Sequence, residues 1–331
     1  MSENTGILVH CEVTGGSLAP ITIELLGAGG RLASGLGQEL NAVIIGSGID
    51  GVAQEAVSYG AKKVYIADDP FLEDYTTESY LAIMEKTVRQ ASPSIILMGQ
   101  TLSGRDLAPW LAFRFSTGAT MDCMALEIAP DTGRLLMTRP VYGGNAQAVQ
   151  VCATDPQIAA VRLKAMVPAV KDDSLKGEII GIETEIDTAS FKTRVVERKV
   201  EPEAGVKLED ARVVVAGGRG IGSTSGFRQL EEIAGLLHGA VGATRPPCDA
   251  GWIPDSRQIG ITGRIVSPDL YLAVGLSGAS QHVSGFFSSK VIAAINKDPD
   301  ANIFKVAHYG IVGDWKEVLP ALTDRLKQVT G

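Results

Sequence analysis

Short apolar runs alternate with amphipathic stretches over the first half of the chain, from Gly6 to about Met166. Runs that are apolar throughout are typical of strands buried on both faces, and the stretches between them have apolar residues at helical spacing. The pattern therefore predicts a parallel sheet covered on both faces by helices. The predicted elements are strands over Ile7–Val13, Asn41–Gly46, Lys63–Ala67 and Ser94–Met98, and helices over Pro20–Leu36, Val52–Tyr59 and Thr77–Ala91.

The middle of the chain departs from this alternation. The segment from Met124 to Val161 predicts antiparallel strands, with Asp131–Gly133 as a hairpin turn, since these residue types favour tight turns. After Met166 alternating charges and threonines replace the apolar runs. Here Thr193–Lys199 is predicted to be a strand that pairs with the first sheet, and Glu201–Leu208 to be a connector.

The last third of the chain returns to alternation and predicts a second domain. A chain of 331 residues suits two domains, here 1–200 and 201–331, because single cores stop growing at about 250–300 residues. The expected fold class is α/β with two doubly wound, mostly parallel-sheet domains. The predicted elements are strands over Ala211–Ala216, Ala240–Ala243, Leu270–Val274, Val291–Ile295 and Lys305–His308, and helices over Gly226–Leu237 and Trp315–Gln328.

Composition argues against two kinds of partner, nucleic acid and the membrane interior. With 45% hydrophobic residues, 21% charged residues and a net charge of −8, the chain has no basic stripe to bind nucleic acid. The longest apolar run, Ile21–Leu36, is interrupted by Glu24 and Arg31 and is too short to span a bilayer, which needs about 20 apolar residues. The first residues lack the pattern of a signal peptide. The protein is expected to be cytoplasmic, without membrane insertion.

Metal chemistry is not expected either. The four cysteines, Cys11, Cys123, Cys152 and Cys248, are far apart in sequence, whereas zinc and iron–sulfur sites use short spacings. No general base paired with a nucleophile and no G-x-x-x-x-G-K-[ST] phosphate loop is recognised. A nucleotide site without acid–base groups suits electron transfer, in which the cofactor carries the reaction and the protein tunes it.

Glycine-rich turns follow the strands of the second domain, where an open parallel sheet binds its ligands. Gly217–Gly222 follows the first of these strands, and its glycines would let the backbone approach a phosphate or a ring. It is not a complete dinucleotide motif, because Ser223 stands at the third glycine position and the next strand ends in Thr244 and Arg245 rather than an acid. Alone, it is equally consistent with a simple tight turn.

Three further turns carry polar groups. Arg245 precedes two prolines that restrict its direction, although it fits a plain surface arginine as well. Gln258–Gly263 carries one hydroxyl, and Gly275–His282 lies at a predicted helix start, where free N–H groups suit anionic oxygens. His282 fits a ligand group and a satisfied structural histidine about equally, and Asn296 either binds a nucleotide or caps a turn.

The same turns resemble the sequence motifs of the electron-transfer flavoprotein alpha subunit. In the second domain the resemblance is carried by Leu270–His282, Ala294–Pro299, Tyr309–Asp314, Gly217–Gly222, Ala243–Arg245, Asp249–Trp252 and Thr262–Gly263, in the family's order and spacing. The first domain agrees more loosely, through Gly104–Pro109 and Thr117–Cys123.

The resemblance implies an extended FAD in the second domain, which would make that domain Rossmann-like. Arg219, Thr244 and Arg245 would lie beside the flavin and its chain, with Thr262 near the flavin N5 atom and His282 as a hydrogen-bond donor near its O2 atom. Of these, Arg245, His282 and Thr262 would tune the flavin, because they can stabilise the negative charge of the reduced ring.

The remaining implied contacts lie along the FAD chain. Ser277–His282 would wrap the ribityl–pyrophosphate region, and Asn296, Asp314 and Trp315 would meet the adenosine end. The implied cofactor-binding set is Arg219, Thr244, Arg245, Ile259, Gly260, Ile261, Thr262, Ser277, Gly278, Ala279, Ser280, Gln281, His282, Asn296, Asp314 and Trp315. The sequence departs from the family pattern at Thr244, usually Ser, at Ile261, usually Gln, and at Ser280, usually apolar.

The family resemblance implies an electron carrier that forms a heterodimer with a beta subunit, against which the first domain would pack without binding a nucleotide. Its electron donors would be flavoenzymes of the acyl-CoA dehydrogenase type. An alternative is a subunit of an electron-bifurcating complex that uses NADH and ferredoxin. A second alternative is an NADP-binding, transhydrogenase-like component in which Arg245 meets the 2′-phosphate. A third, a scaffold without cofactor, is disfavoured because Arg245, Thr262, Ser277 and His282 are all retained.

Overall fold

A computed structural model describes residues 4–144, 146–185, 191–198 and 206–330 of the protein. The chain divides into two compact units. Unit 1 comprises Met1–Pro140 and Gln147–Lys199, and unit 2 comprises Val141–Ala146 and Val200–Gly331. Unit 2 is therefore discontinuous in sequence, because a short segment of the first half of the chain belongs to it.

Up to residue 181 the chain forms twelve strands and four α-helices among the described residues. Strands and α-helices alternate as far as the fourth α-helix, and no further α-helix follows in this described part of the chain. They are β1 (Ile7–Cys11), β2 (Val13–Thr14), β3 (Ser17–Leu18), α1 (Pro20–Leu36), β4 (Leu40–Gly46), α2 (Asp50–Ser58), β5 (Lys63–Asp68), α3 (Thr77–Ala91), β6 (Ile95–Gly99), α4 (Leu102–Arg114), β7 (Ala119–Cys123), β8 (Ala125–Ile128), β9 (Leu135–Val141), β10 (Ala146–Val151), β11 (Gln157–Val161) and β12 (Glu178–Gly181).

Unit 1 contains a seven-stranded sheet in the order β12-β5-β4-β1-β6-β11-β7, and all its neighbouring strands run parallel. Every residue of β1 and β4 is buried, as their apolar sequences predict. Ile7 and Val9 pack in the core beneath α1 and α2, whereas Leu8 points to the core beneath α3 and α4. The prediction of a parallel sheet covered on both faces is confirmed.

The prediction of antiparallel strands over Met124–Val161 is right only in part. β8 and β9 are antiparallel around the predicted Asp131–Gly133 turn, and β10 extends this small sheet. β11, however, lies between β6 and β7 in the large sheet and runs parallel to both. Its five residues are all buried, so it has the apolar character of the other central strands. The place of β11 in the sequence, directly after antiparallel strands, therefore did not indicate the sheet to which it belongs.

The predicted strand over Thr193–Lys199 is wrong for the residues that the structure describes. Residues 191–198 form no strand, and the backbone N–H groups of Lys192 and Thr193 donate to the Glu78 carboxylate instead of to a strand. The edge of the sheet is formed by β12, which pairs with β5. Lys199 and residues 201–205 of the predicted connector lie outside the described residues.

Unit 2 contains a second parallel sheet, in the order β14-β13-β15-β16-β17. Its elements are β13 (Val213–Gly217), α5 (Thr224–Leu236), β14 (Ala240–Ala243), α6 (Arg245–Asp249), β15 (Leu270–Val274), α7 (Ser280–Val283), β16 (Val291–Asn296), β17 (Tyr309–Val312) and α8 (Trp315–Thr330). Together with the sheet of unit 1, this confirms the predicted fold class.

The last predicted strand, Lys305–His308, is misplaced. Asn302–Lys305 forms a short 3-10 helix, and the strand begins only at Tyr309. Ile303 is buried in the core, whereas all residues of β17 are exposed at the edge of the sheet. The apolar residues here thus belong to a buried turn, and periodicity alone does not distinguish a buried turn from a buried strand. Among the described helices, none has the length and apolar character needed to cross a membrane.

Candidate functional site

A cavity of about 920 Å³ lies at the carboxyl ends of β13, β14, β15 and β16, and all its lining residues belong to unit 2. This is the edge at which open parallel sheets bind ligands, and the volume suits a large ligand, since pockets usually measure about 300–1,000 Å³. The structure brings together on its walls most of the residues that the sequence analysis selected: Arg219, Thr244, Arg245, Ile259, Gly260, Ile261, Thr262, Ser277, Ala279, Gln281, His282 and Asn296.

Four selected residues are not among those that line the cavity. Trp315 is buried, and its Nε1–H donates to the Gly220 carbonyl oxygen over 2.9 Å. Asp314 accepts a hydrogen bond from the Lys316 backbone at the start of α8. Gly278 packs against Ile303. Ser280, the fourth, is exposed at the first position of α7. Asp314 and Trp315 therefore lie outside the lining of the cavity in this structure, and their contacts with adenosine stay a prediction.

Ten further residues line the cavity without having been assigned a contact in advance, namely Gly220, Pro246, Gln258, Gly275, Leu276, Lys297, Asp298, Asp300, Ala301 and Asn302. The first seven belong to the turns that the sequence singled out, which follow strand ends. Asp300 and Asn302 lie on a later turn, and no sequence pattern marks them.

The Gly217–Gly222 turn uses its backbone donors within the protein. The N–H of Gly218 donates to Val274 and that of Gly220 to Gly275, at 3.0 and 2.9 Å. The glycines thus allow a close approach to the neighbouring turn after β15 rather than to a ligand. This outcome favours the simpler of the two interpretations of the turn, which contributes Arg219 and Gly220 to the cavity wall.

The turn after β15 differs from the Gly217–Gly222 turn in its backbone donors. The backbone N–H groups of Ser277, Gly278 and Ala279 donate to no acceptor within the part of the chain that the structure describes. The turn is held from behind, because Asn296 Nδ2–H donates to the Leu276 carbonyl oxygen and the Ile303 N–H donates to that of Ser277, at 2.8 and 3.1 Å. A fixed turn with free donors can bind an anionic group.

Arg245 and Thr262 present their polar groups in different ways. Arg245 is the first residue of α6, and its guanidinium Nε lies 3.3 Å from the Asp249 carboxylate. The Oγ1 atom of Thr262 accepts a hydrogen bond of 2.8 Å from Gln258 Nε2. Since the amide supplies that proton, the threonine hydroxyl keeps its own proton for another acceptor.

His282 lines the cavity, but its imidazole is tied to the protein on both sides. Nδ1 lies 2.8 Å from the Ile259 carbonyl oxygen and Nε2 lies 2.9 Å from the Tyr271 hydroxyl. Burial lowers the pKa of His282 from 6.5 to about 4, so the ring is neutral at pH 7. Both ring nitrogens have protein partners, which differs from the expected role as a donor to a ligand.

The donor set fits a nucleotide with a pyrophosphate and a redox ring. Free backbone N–H groups, Arg219 and Arg245 suit anionic oxygens, and the Thr262 hydroxyl suits a ring nitrogen or oxygen. Within the described residues, no group of three or more His, Cys, Asp or Glu side chains could hold a metal ion.

Comparison with known proteins gives matches along nearly the whole chain. Residues 7–186 match the profile of the electron transfer flavoprotein domain, and residues 207–287 match that of the electron transfer flavoprotein FAD-binding domain. An electron transfer flavoprotein subunit alpha from Thermoanaerobacterium thermosaccharolyticum is 42% identical over 330 residues, covering 99% of this chain and 100% of the relative.

Two further relatives extend this picture. The electron transfer flavoprotein subunit alpha of Bacillus subtilis is 43% identical, covering 98% of each chain. A protein of Acetobacterium woodii, named as subunit LctC of lactate dehydrogenase (NAD(+),ferredoxin), is 37% identical, covering 96% of this chain and 76% of the relative. Relatedness over the whole length, with both family domains in order, shows that this protein belongs to the electron transfer flavoprotein alpha-subunit family, whose cofactor is FAD.

Proposed function

We propose that this chain is the alpha subunit of a heterodimer that holds FAD in the unit 2 cavity and carries electrons between protein partners. The observation that carries the proposal is the convergence of turns distant in sequence on one cavity, after β13, β14, β15 and β16. These turns include the residues of the family resemblance, and together they provide free N–H donors, positive charge and the Thr262 hydroxyl.

The proposed contacts follow from these donors. The N–H groups of Ser277–Ala279 bind pyrophosphate oxygens, and Arg219 and Arg245 add positive charge to the cavity wall. The Thr262 hydroxyl donates to the flavin ring. The proposed lining set is Arg219, Thr244, Arg245, Ile259, Gly260, Ile261, Thr262, Ser277, Ala279, Gln281, His282 and Asn296, and the contacts predicted for Gly278, Ser280, Asp314 and Trp315 stay predictions outside this lining.

FAD, when bound, supplies the reversible uptake and release of electrons. The chain binds the cofactor, orients its ring and sets the charge around it. Arg245 favours negative charge in the cavity, and its ion pair with Asp249 restrains the guanidinium.

The first prediction tests this function directly. The chain, produced together with its beta subunit, will be yellow and will retain FAD after gel filtration, because the cavity walls bind it. Absorbance and extraction of the cofactor measure the number of FAD molecules per heterodimer. A colourless heterodimer that binds NADPH tightly would refute the proposal in favour of the transhydrogenase-like alternative.

A second candidate function is supported by the relative from Acetobacterium woodii, whose printed name includes NAD(+) and ferredoxin. The number of FAD molecules per heterodimer distinguishes the two candidate functions. One FAD per heterodimer indicates a shuttle that accepts electrons from flavoenzymes of the acyl-CoA dehydrogenase type. Two FAD molecules, with reduction by NADH, indicate an electron-bifurcating complex.

The proposed beta-subunit partner also needs a surface, and α4 offers one on unit 1. Leu102, Trp110 and Phe113 lie on one face of this helix and are 67%, 56% and 76% exposed. Clustered aromatic side chains of this size are typical of protein interfaces. We propose that the beta subunit covers this face.

The second prediction tests that surface. Trp110→Glu will weaken association with the beta subunit by about thirtyfold or more, since a buried interface tryptophan often contributes about 2 kcal/mol. Isothermal titration with the separately produced beta subunit measures the change. The matched control is Val329→Glu, at an exposed apolar residue of α8. Equal affinity of the Trp110→Glu variant and the wild type would exclude α4 as the docking face.

A further inference from the structure

A chain of hydrogen bonds connects the core of unit 2 to the cavity wall. Tyr271, in the middle of β15, is fully buried, and its ring stacks on Phe286 with 3.9 Å between ring centroids. Its hydroxyl lies 2.9 Å from His282 Nε2, and His282 Nδ1 lies 2.8 Å from the Ile259 carbonyl oxygen. Each of these groups is shielded from water.

The partners determine where the protons are. A carbonyl oxygen only accepts, so Nδ1 must carry the imidazole proton that faces Ile259. In a neutral ring, Nε2 is then an acceptor, and it receives the proton of the Tyr271 hydroxyl. Burial lowers the pKa of His282 to about 4, which keeps the ring neutral at pH 7. Only one tautomer of His282 satisfies both contacts.

The Ile259 carbonyl belongs to the segment Gln258–Thr262, which forms a wall of the cavity. The Ile259 N–H donates to Ala243 at the end of β14, and the Ile261 N–H donates to Gln281 in α7, both at 2.9 Å. The hydrogen bond from His282 links this wall, through the imidazole ring, to Tyr271 of β15. The wall in turn positions the Thr262 hydroxyl through Gln258.

We propose that Tyr271 is a positioning residue of the cofactor site, whose hydroxyl fixes His282 in the Nδ1–H tautomer and thereby holds the Gln258–Thr262 wall in place. The role of the wall toward FAD rests on the proposed function, whereas the tautomer does not. Tyr271 itself does not touch the cavity. Its effect passes through the orientation of the histidine ring, as in other sites where a hydrogen bond to one ring nitrogen determines the state of the other.

The experiment uses the heterodimer with this chain labelled with ¹⁵N at its four histidines. Long-range proton–nitrogen correlation spectra at pH 7 distinguish the two tautomers, and the His282 signals are those lost in His282→Asn. The expected result in the wild type is the Nδ1–H tautomer. In Tyr271→Phe the Nε2–H tautomer becomes populated, FAD binds about tenfold more weakly, and the flavin reduction potential shifts.

The matched control is Tyr80→Phe in unit 1, which also removes a largely buried hydroxyl, one bonded to the carbonyl oxygens of Ile45 and Leu72. It will lower stability without changing the His282 tautomer, the FAD affinity or the potential. A wild-type Nε2–H tautomer overturns the proposal even if Tyr271→Phe fails to fold. So does a Tyr271→Phe variant with unchanged FAD affinity. Wild-type heterodimer that binds no FAD would refute the proposed function, and the tautomer would still report on His282.

Discussion

Gly278→Ala will destabilise unit 2 by about 2–5 kcal/mol and release FAD, because two costs combine at this position. The φ angle of Gly278 is 80°, a conformation that residues with a Cβ atom rarely adopt. An added Cβ would also lie 2.6 Å from Ile303 Cα and 2.8 Å from Asn302 C, and nearer still to the Ile303 nitrogen. The turn after β15 and the segment holding Asn302 would have to separate, and both line the cavity.

Gly222→Ala is the matched control for this prediction. Gly222 has a similar φ angle of 84°, but nothing lies within 4 Å of an added Cβ. This variant measures the conformational cost alone, about 1–2 kcal/mol. Urea unfolding and FAD dissociation are compared for the two variants. If they are equally stable and retain FAD equally, the close approach of Gly278 to Ile303 is unimportant.

Arg245→Ala will lower the reduction potential of bound FAD, by the equivalent of about 1–3 kcal/mol. Reduction adds negative charge, which the guanidinium stabilises. The side chain is 66% exposed and paired with Asp249, so solvent and the carboxylate screen its charge and the lower end of the range is expected. Arg219 and Lys297 also line the cavity, so Arg245 is not its sole cation. Spectroelectrochemical titration of the heterodimer measures the potential.

Two variants control for the change of charge. Arg228→Ala removes an exposed cation from α5, outside the cavity, and will leave the potential unchanged. Arg245→Lys keeps the charge but loses the planar guanidinium, and will give an intermediate potential. A potential that is the same in Arg245→Ala and the wild type would remove Arg245 from the residues that tune the flavin.

The sequence was a good guide wherever one residue pattern corresponds to one environment. Runs such as Ala42–Ile45 are apolar throughout, which is typical of a strand buried on both faces, and every residue of β4 is buried. The cavity could also be predicted, because parallel strands place their carboxyl ends at one edge of the sheet. Thr244, Ser277 and Asn296 lie at or just after the ends of different strands and line one cavity for this reason.

Other features depend on contacts that sequence spacing does not encode. The helix α4 was not predicted, since Pro109 and exposed apolar residues such as Trp110 obscure its periodicity. The predicted donor role of His282 overlooked Tyr271, which lies on a strand and has the appearance of an ordinary core residue. Its hydrogen bond to the imidazole depends on how α7 packs against β15, which only the tertiary structure determines.

The discontinuity of unit 2 bears on how the protein is made. In the segment Val141–Ala146, Gly143 approaches Ser280 and Gly144 approaches the ring of Phe287. During synthesis this segment leaves the ribosome long before α7 does. The residues that it contacts in unit 2 are therefore absent until most of the chain has been synthesised. These contacts of unit 2 can therefore form only after α7 has been synthesised, and a gene fragment that starts at residue 207 lacks the Val141–Ala146 part of the unit.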